Sequence, residues 1–500
     1  MLSRGLTGSC LVLLGGLVVS VLPGSSWLQR SQVLALLRET EVGRMLGLTV
    51  VMAGLGLLAH SWLVLCRRVS RAREESVAGR IATTRLAAAI WSLPLLVAPP
   101  LFSRDGWSYA AQGMLAQWGL SPYRYGPGML HGPVSETVDP RWMYSPTPYG
   151  PVPLAFGRSF ASVSENPWVL VVAHRGLAVL GLLLLAWAVP RLATWSGVNP
   201  ALASALVLAS PFMLANGIGG LHNDLLMVGL MAAALVVAAE RGWVWGAVLG
   251  GLAASVKAPA GIICIGVALV TLPVAVGLAE RARRLASVAV ASVGVLLGAG
   301  VLFGTGAGWL QALTVPGTVN TPLSITTLLG GALDALVQAL GLGTAEATFL
   351  SLVRLVGTLV ALGVAGWVAV RGPSGDRSAA LRGMTLAIGT LVLLSPVVHL
   401  WYFLWVLPFA ASQRLSRVAM TGLVGLSVVL GLVAPLDSSL HEAYLAIVLG
   451  TMLVAALVLV LLLTPGARDR LGRISQHTAG STRPVTSPRV SRPPVTEGAE

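Results

Sequence analysis

The chain has 500 residues, of which 55% are hydrophobic and 10% charged, with a formal net charge of +14 and a mean hydropathy of +0.81. Soluble domains carry roughly 25% charged residues, so this composition excludes a soluble enzyme and predicts an all-α polytopic membrane protein. The positive charge requires no nucleic-acid partner, because arginine clusters placed as topology signals account for most of it.

A bilayer-crossing helix needs about 20 apolar residues. In chain order the pattern predicts spans at 6–22, 42–65, 81–101, 168–189, 200–216, 225–239, 243–256, 260–278, 285–304, 349–370, 379–396, 399–411, 417–434 and 443–463, about fourteen in all. Arg4 precedes the first, but no clear small-x-small cleavage site follows, so it reads as an anchor rather than a signal peptide. Arginines cluster at Arg67/Arg68/Arg71/Arg73/Arg80/Arg85, Arg281/Arg283/Arg284, Arg371/Arg377/Arg382, Arg414/Arg417 and in the tail. In this count all fall on one face, which the positive-inside rule makes cytoplasmic. The expectation is a multi-pass plasma-membrane protein with both termini inside and a large extracytoplasmic loop after the third span.

Three regions follow: anchor spans and a basic loop at 1–80, a catalytic membrane domain at 81–465 with its outer loop at 102–165, and a tail at 466–500. The tail, rich in Pro, Ser, Thr and Arg, is expected to be disordered and cytoplasmic. Cys10, Cys66 and Cys264 lie in or beside spans and form neither a disulfide framework nor a metal spacing. No internal repeat stands out.

The outer loop holds five of the seven tyrosines (Tyr109, Tyr123, Tyr125, Tyr144 and Tyr149) and eight prolines. At its mouth stands Arg104-Asp105. A carboxylate beside a membrane helix is costly to keep and reads by default as functional. With this topology the other polar groups in apolar sequence gather on the same outer side. Gly219-Gly220-Leu221-His222-Asn223-Asp224 is a turn in which Asn223 or Asp224 is expected to cap the next helix. A helix N-terminus facing a chamber also attracts anions.

Lys257 is the only lysine beside thirty-two arginines, and it sits at a break before Pro259. Two readings stand: a snorkelling side chain or an ammonium that meets a lipid phosphate. His399, in Ser395-Pro396-Val397-Val398-His399-Leu400-Trp401-Tyr402, is either an interfacial belt residue or a phosphate or sugar ligand. Arg175 and Arg354, near the outer ends of their spans, are open between phosphate contact and snorkelling. The 309–324 stretch, free of Lys and Arg, is a weaker candidate to complete a lid. No phosphate-binding Gly-rich loop, metal-spaced His/Cys cluster or nucleophile elbow occurs, and no cofactor is expected.

An extracytoplasmic glycosyltransferase has no nucleotide sugars and must draw on a lipid-linked donor. Inverting transfer then needs a base for the acceptor hydroxyl and partners for the departing phosphate. Asp105 is the candidate base. Lys257, His399, Arg104 and His222 are the candidate phosphate partners. Trp107, Tyr109, Gln112, Tyr123 and Tyr149, with Asn223 and Asp224, suit the apolar faces and hydroxyls of sugars.

Arg104-Asp105 with Tyr109, Gln112-Gly113, Pro122-Tyr123 and Ser145-Pro146-Thr147-Pro148-Tyr149-Gly150-Pro151 resembles the polyprenol-phosphomannose-dependent α-1,6-mannosyltransferases of actinobacteria. So do Gly220-Leu221-His222-Asn223-Asp224, Val256-Lys257-Ala258-Pro259 and Ser395-Pro396-Val397-Val398-His399 with Trp401-Tyr402. The resemblance runs from about 80 to 410. It implies a GT-C-type membrane enzyme with Asp105 as the catalytic acid-base residue. The implied donor is polyprenyl-phosphate-mannose, and the implied acceptor is the α-1,6-mannan backbone of a lipomannan-type glycolipid. Leu400 follows His399 where this family is expected to carry Pro. Two alternatives remain: a related transferase moving arabinose, and a transporter or flippase of polyprenyl-linked sugars, for which repeat symmetry and mid-bilayer charges are expected.

Overall fold

A computed structural model describes residues 1–71, 75–315, 319–342 and 345–436, with parts of 449–476. Among these residues all regular structure is helical. Six helices are long and apolar enough to cross a membrane: Leu2–Val19, Glu41–Arg71, Pro167–Trp195, Leu278–Leu302, Thr348–Arg371 and Arg377–Leu394. Pro200–Leu208 and Met213–Gly219, bent by 58° at their break, make a seventh if taken together.

Several other expected spans are occupied by shorter apolar helices: Trp243–Val256, Ala258–Thr271, Leu400–Ala411 and Arg417–Val433. The shortness has local causes. Pro259 breaks the run at Lys257, and Leu400–Trp405 winds as a 3-10 helix up to Pro408, since proline cannot donate to the preceding turn. The expected span at 443–463 falls largely outside the described residues.

Helix starts follow their caps. Asn166 Oδ1 accepts from Trp168 N, and Asn199 Oδ1 from Ala201 and Leu202 N, each just ahead of a proline at the first helical position. The first helix docks on Glu41–Arg71 through paired glycines. A Cβ on Gly8 would lie 2.7 Å from Gly54 O, and one on Gly15 would lie 2.5 Å from Gly47 O. Such small residues let membrane helices approach backbone to backbone.

The centre of the bundle is Pro200–Leu208, Met213–Gly219 and Asp224–Arg241, whose side chains are almost all buried. Leu278–Leu302 and Thr348–Arg371 lie at the periphery, with Val301, Leu302 and Leu359 exposed. One expectation is corrected at the C-terminus. The tail does not begin as disordered chain: Pro465–Gln476 is a helix, held by Leu471 and Ile474, which are buried three residues apart on one face. Residues 477–500 lie outside the described set.

The arginine-bearing helix ends converge. Arg414 Nε donates to Ser196 O (2.8 Å), Arg377 to Ala239 O (3.0 Å) and Arg281 to Gly372 O (2.7 Å). Asp224 begins the helix that ends at Arg241, and His399 lies beyond the helix that begins at Arg377. Helix polarity thus places both at the opposite end of the bundle.

Candidate active site

Asp105 opens the helix Asp105–Gln117, where its own N–H donates to Ser103 Oγ (3.1 Å). The macrodipole favours a carboxylate in the first turn. The chain before it is tied to the turn before His222: Leu101 N donates to Gly219 O (2.9 Å). Arg175, buried in the helix Pro167–Trp195, clamps both segments by donating to Leu95 O, to Pro99 O (3.1 Å) and to Gly219 O (3.3 Å). It is therefore neither snorkelling nor in the cavity. Arg354 is likewise structural, donating to Thr327 Oγ1, Val319 O and Asn320 Oδ1.

Leu221 takes φ +57°, uncommon for a residue with a Cβ, and the turn presents His222 to Asp105. His222 Nδ1 stands 3.4 Å from Asp105 Oδ2, longer than a good hydrogen bond. The His222 ring stacks on Trp401 at 3.7 Å and 14°, and the His399 ring lies parallel to the same indole at 4.4 Å. Burial opposes ionisation of Asp105. The close approach of His222 and the field of the Lys257 ammonium outweigh it and hold the carboxyl below its ordinary range. Burial pushes the His399 imidazole down to about 4, so it is neutral at pH 7. Burial and the Asp105 charge raise the phenol of Tyr109, which stays a neutral donor.

Lys257 lies in extended backbone between two short helices. Its Nζ donates to Asp224 Oδ1 (2.9 Å) and to Tyr402 Oη (3.4 Å). Tyr402 and Trp405 are three residues apart in a 3-10 helix, where such side chains eclipse, and their rings stack at 4.4 Å. That stack forms a π floor under the ammonium, 4.4 Å from the Tyr402 ring and 5.2 Å from Trp405. Trp405 Nε1 also donates to Asp224 Oδ1 (2.8 Å). Lys257 is only 6% exposed, so it does not snorkel.

The expected caps fail at this point. Asn223 holds the N-cap position without a side-chain cap bond, its backbone being helical (φ −57°, ψ −21°) where a capping residue is normally extended.

One cavity of about 50 Å³ joins Asp105, Tyr109, Gln112, Tyr149, Lys257 and His399. Tyr149 reaches it because Gly150 N donates to Val256 O (2.9 Å), an approach so close that a Cβ on Gly150 would lie 2.2 Å from Ser255 O. The Tyr109 and Tyr149 hydroxyls pair at 3.0 Å, and Thr147 donates to Gln112 Oε1 (2.9 Å). Val315 and Val319 of the second outer stretch contribute a wall, and Thr321 Oγ1 there accepts from Val398 N (2.9 Å).

Among the remaining candidates, Asp224 backs Lys257 and His222 backs Asp105. Arg104 lies in the field of Asp139 and Arg141 rather than in the cavity wall. Tyr123 packs into a separate apolar cluster with Leu154, Ala312 and Trp309. Sequence reasoning missed Trp142 and Trp401 as walls and Trp405 as the partner of Asp224. The Trp401-Tyr402-x-x-Trp405 spacing was the available signal, but only for a 3-10 rather than an α-helical winding.

A family model described as alpha-(1→6)-mannopyranosyltransferase, N-terminal domain, matches residues 2–273, and one for the MptB C-terminal domain matches residues 326–464. Over 440 residues the chain is 33% identical to alpha-(1→6)-mannopyranosyltransferase A of Mycobacterium tuberculosis, covering 85% of this chain and 82% of the relative. It is 30% identical over 451 residues to a probable alpha-(1→6)-mannopyranosyltransferase of Mycolicibacterium smegmatis, covering 83% and 79%. Against alpha-(1→6)-mannopyranosyltransferase A of Corynebacterium glutamicum the identity is 27% over 433 residues, covering 82% and 87%. With more than half its length under one family model and a match to these relatives over most of the rest, this chain belongs to the α-(1→6)-mannopyranosyltransferase family.

Proposed function

We propose that this membrane mannosyltransferase takes mannose from polyprenyl-phosphate-mannose and extends an α-1,6-mannan glycolipid on the outer face of the plasma membrane, by single displacement with inversion. The observation that carries the reading is a carboxylate, Asp105, sharing one aromatic cavity with Lys257. The acceptor hydroxyl oxygen bonds to C1 of mannose while the C1–O bond to phosphate breaks, its electron pair leaving on the phosphate. Asp105 takes the hydroxyl proton.

Lys257 has three N–H donors. Two go to Asp224 and Tyr402, which leaves one for a phosphate oxygen. His399, being neutral, contributes an N–H rather than a charge. The Trp401 Nε1–H, on the cavity wall, is buried without a protein partner and suits a sugar oxygen. No cofactor enters the step.

A volume of about 50 Å³ is far below the roughly 300–1,000 Å³ of a ligand pocket. Entry of a mannosyl phosphate therefore requires the cavity to widen. The arginine-rich ends lying opposite the site support the outer placement. The test is a membrane assay with radiolabelled polyprenyl-phosphate-mannose and short α-1,6-mannosides. The reading requires a longer α-1,6-linked product, and absence of transfer from the lipid donor overturns it.

A further inference from the structure

At the arginine-rich end of the bundle lies a second feature, unrelated to the cavity. An apolar groove of about 610 Å³ runs along Glu41–Arg71, walled by Met52 and His60, by Val428 of Arg417–Val433, by Leu453 and Leu457, and by Leu471 of Pro465–Gln476. It follows the helix from Met45 to Leu63, about 27 Å at about 1.5 Å per residue, which is long enough for a lipid chain laid along the axis.

The groove ends in cations. His60, Leu63 and Arg67 share one helix face by spacing, so Arg67 stands immediately beyond the groove wall. Arg67 lies in the field of Arg71, Arg470 and Arg473, and Arg470 adjoins Leu471. His60 itself accepts a hydrogen bond from Arg4 (2.9 Å). Among the described residues of this region the carboxylates are engaged elsewhere: Asp469 faces Arg417 at 4.0 Å and Glu75 faces Arg68 at 3.9 Å. Guanidinium groups gathered against their mutual repulsion at the mouth of an apolar slot match an anionic amphiphile, because guanidinium binds phosphate oxygens strongly. Basic clusters just beyond a membrane helix likewise recognise anionic lipid.

We propose that the groove and its arginine collar bind one anionic phospholipid, with an acyl chain along Met52–Leu63 and the phosphate on Arg67, Arg470 and Arg473. The helix Pro465–Gln476 then supplies two of the three headgroup arginines and, through Leu471, part of the wall along the acyl chain.

The experiment uses the full chain in mild detergent, mixed with phosphatidylglycerol or phosphatidylcholine, with retained lipid counted by native mass spectrometry. Wild type should retain phosphatidylglycerol in preference to phosphatidylcholine. Arg67→Gln, Arg470→Gln and Arg473→Gln together should erase the preference, at about fivefold per arginine. Gly56→Phe should block the chain, because an added Cβ there meets nothing within 4 Å and projects into the groove. Gly298→Phe, equally open but on the peripheral helix Leu278–Leu302, should leave retention unchanged. Equal retention of the two lipids by wild type overturns the proposal, and so does wild-type retention by either the arginine or the Gly56 variant.

Discussion

His222 Nδ1 lies 3.4 Å from Asp105 Oδ2, and the imidazole is held there by stacking on Trp401. The histidine therefore faces the candidate base, whereas the sequence motif alone groups it with the donor phosphate. In the proposed mechanism it orients the carboxylate and favours its ionised form.

Asp105→Asn should abolish transfer while leaving membrane insertion intact, since the change is nearly isosteric. Loss of a general base costs about 10² to 10⁴ in rate. Turnover of the Asn variant near the wild-type level would refute the assignment.

His222→Gln should lower kcat and leave donor KM close to wild type. At 3.4 Å the contact is longer than a good hydrogen bond, so the loss should be about tenfold in rate, the lower end of what a hydrogen bond to a charged group contributes. A rise in donor KM at constant kcat would instead put His222 on the phosphate.

Lys257→Met strands Asp224 as a buried, unpaired carboxylate. Breaking a buried pair in this way costs about 3–5 kcal/mol, so the single variant should unfold at a lower temperature than the Lys257→Met/Asp224→Asn double variant. Both should show a raised donor KM or a reduced kcat, because neither retains the ammonium. Unchanged donor kinetics in the double variant would leave Lys257 with a purely structural role.

The pH dependence follows from the two shifts. Asp105 is held below the ordinary carboxylate range of about 3.9, so the stability it contributes is present above that value and is lost as pH falls through its folded pKa. His399 is pushed down to about 4. The unfolded chain thus takes up this proton first, near the ordinary imidazole value of about 6.5, and stability declines as pH falls from there toward 4. The transfer rate should have no acid limb near pH 6.5 from either group. A limb there that disappears in His399→Gln would show the imidazole to be charged.

Orientation can be read by cysteine labelling after replacement of Cys10, Cys66 and Cys264. His131→Cys, in the exposed outer loop, should react with an impermeant thiol reagent in whole cells. Gly277→Cys, exposed next to the arginine-bearing helix end at Arg281, should react only after permeabilisation. The reverse pattern would place Asp105 in the cytoplasm and remove the argument for a lipid-linked donor.

Composition and hydrophobic runs by themselves determined that this is a helical membrane protein, where its long helices lie, and that Asp105, Lys257 and His399 are its conspicuous polar residues. Those signals are local: run length, a proline break, a carboxylate where one is costly. Family membership was legible for the same reason, since short ordered motifs survive in the linear sequence.

Partnership was not legible. Asp224 and Lys257 are 33 positions apart, and Trp405 and Asp224 are 181 apart. Only the packing of helices turned Asp224 from an expected cap into a counter-ion. The same packing sent Tyr123 and Arg104 to neighbours outside the cavity, and it committed Arg175 to three backbone carbonyls. In a membrane interior a buried charge is costly unless the protein supplies its partner, and those partners come from segments that only the tertiary fold brings together.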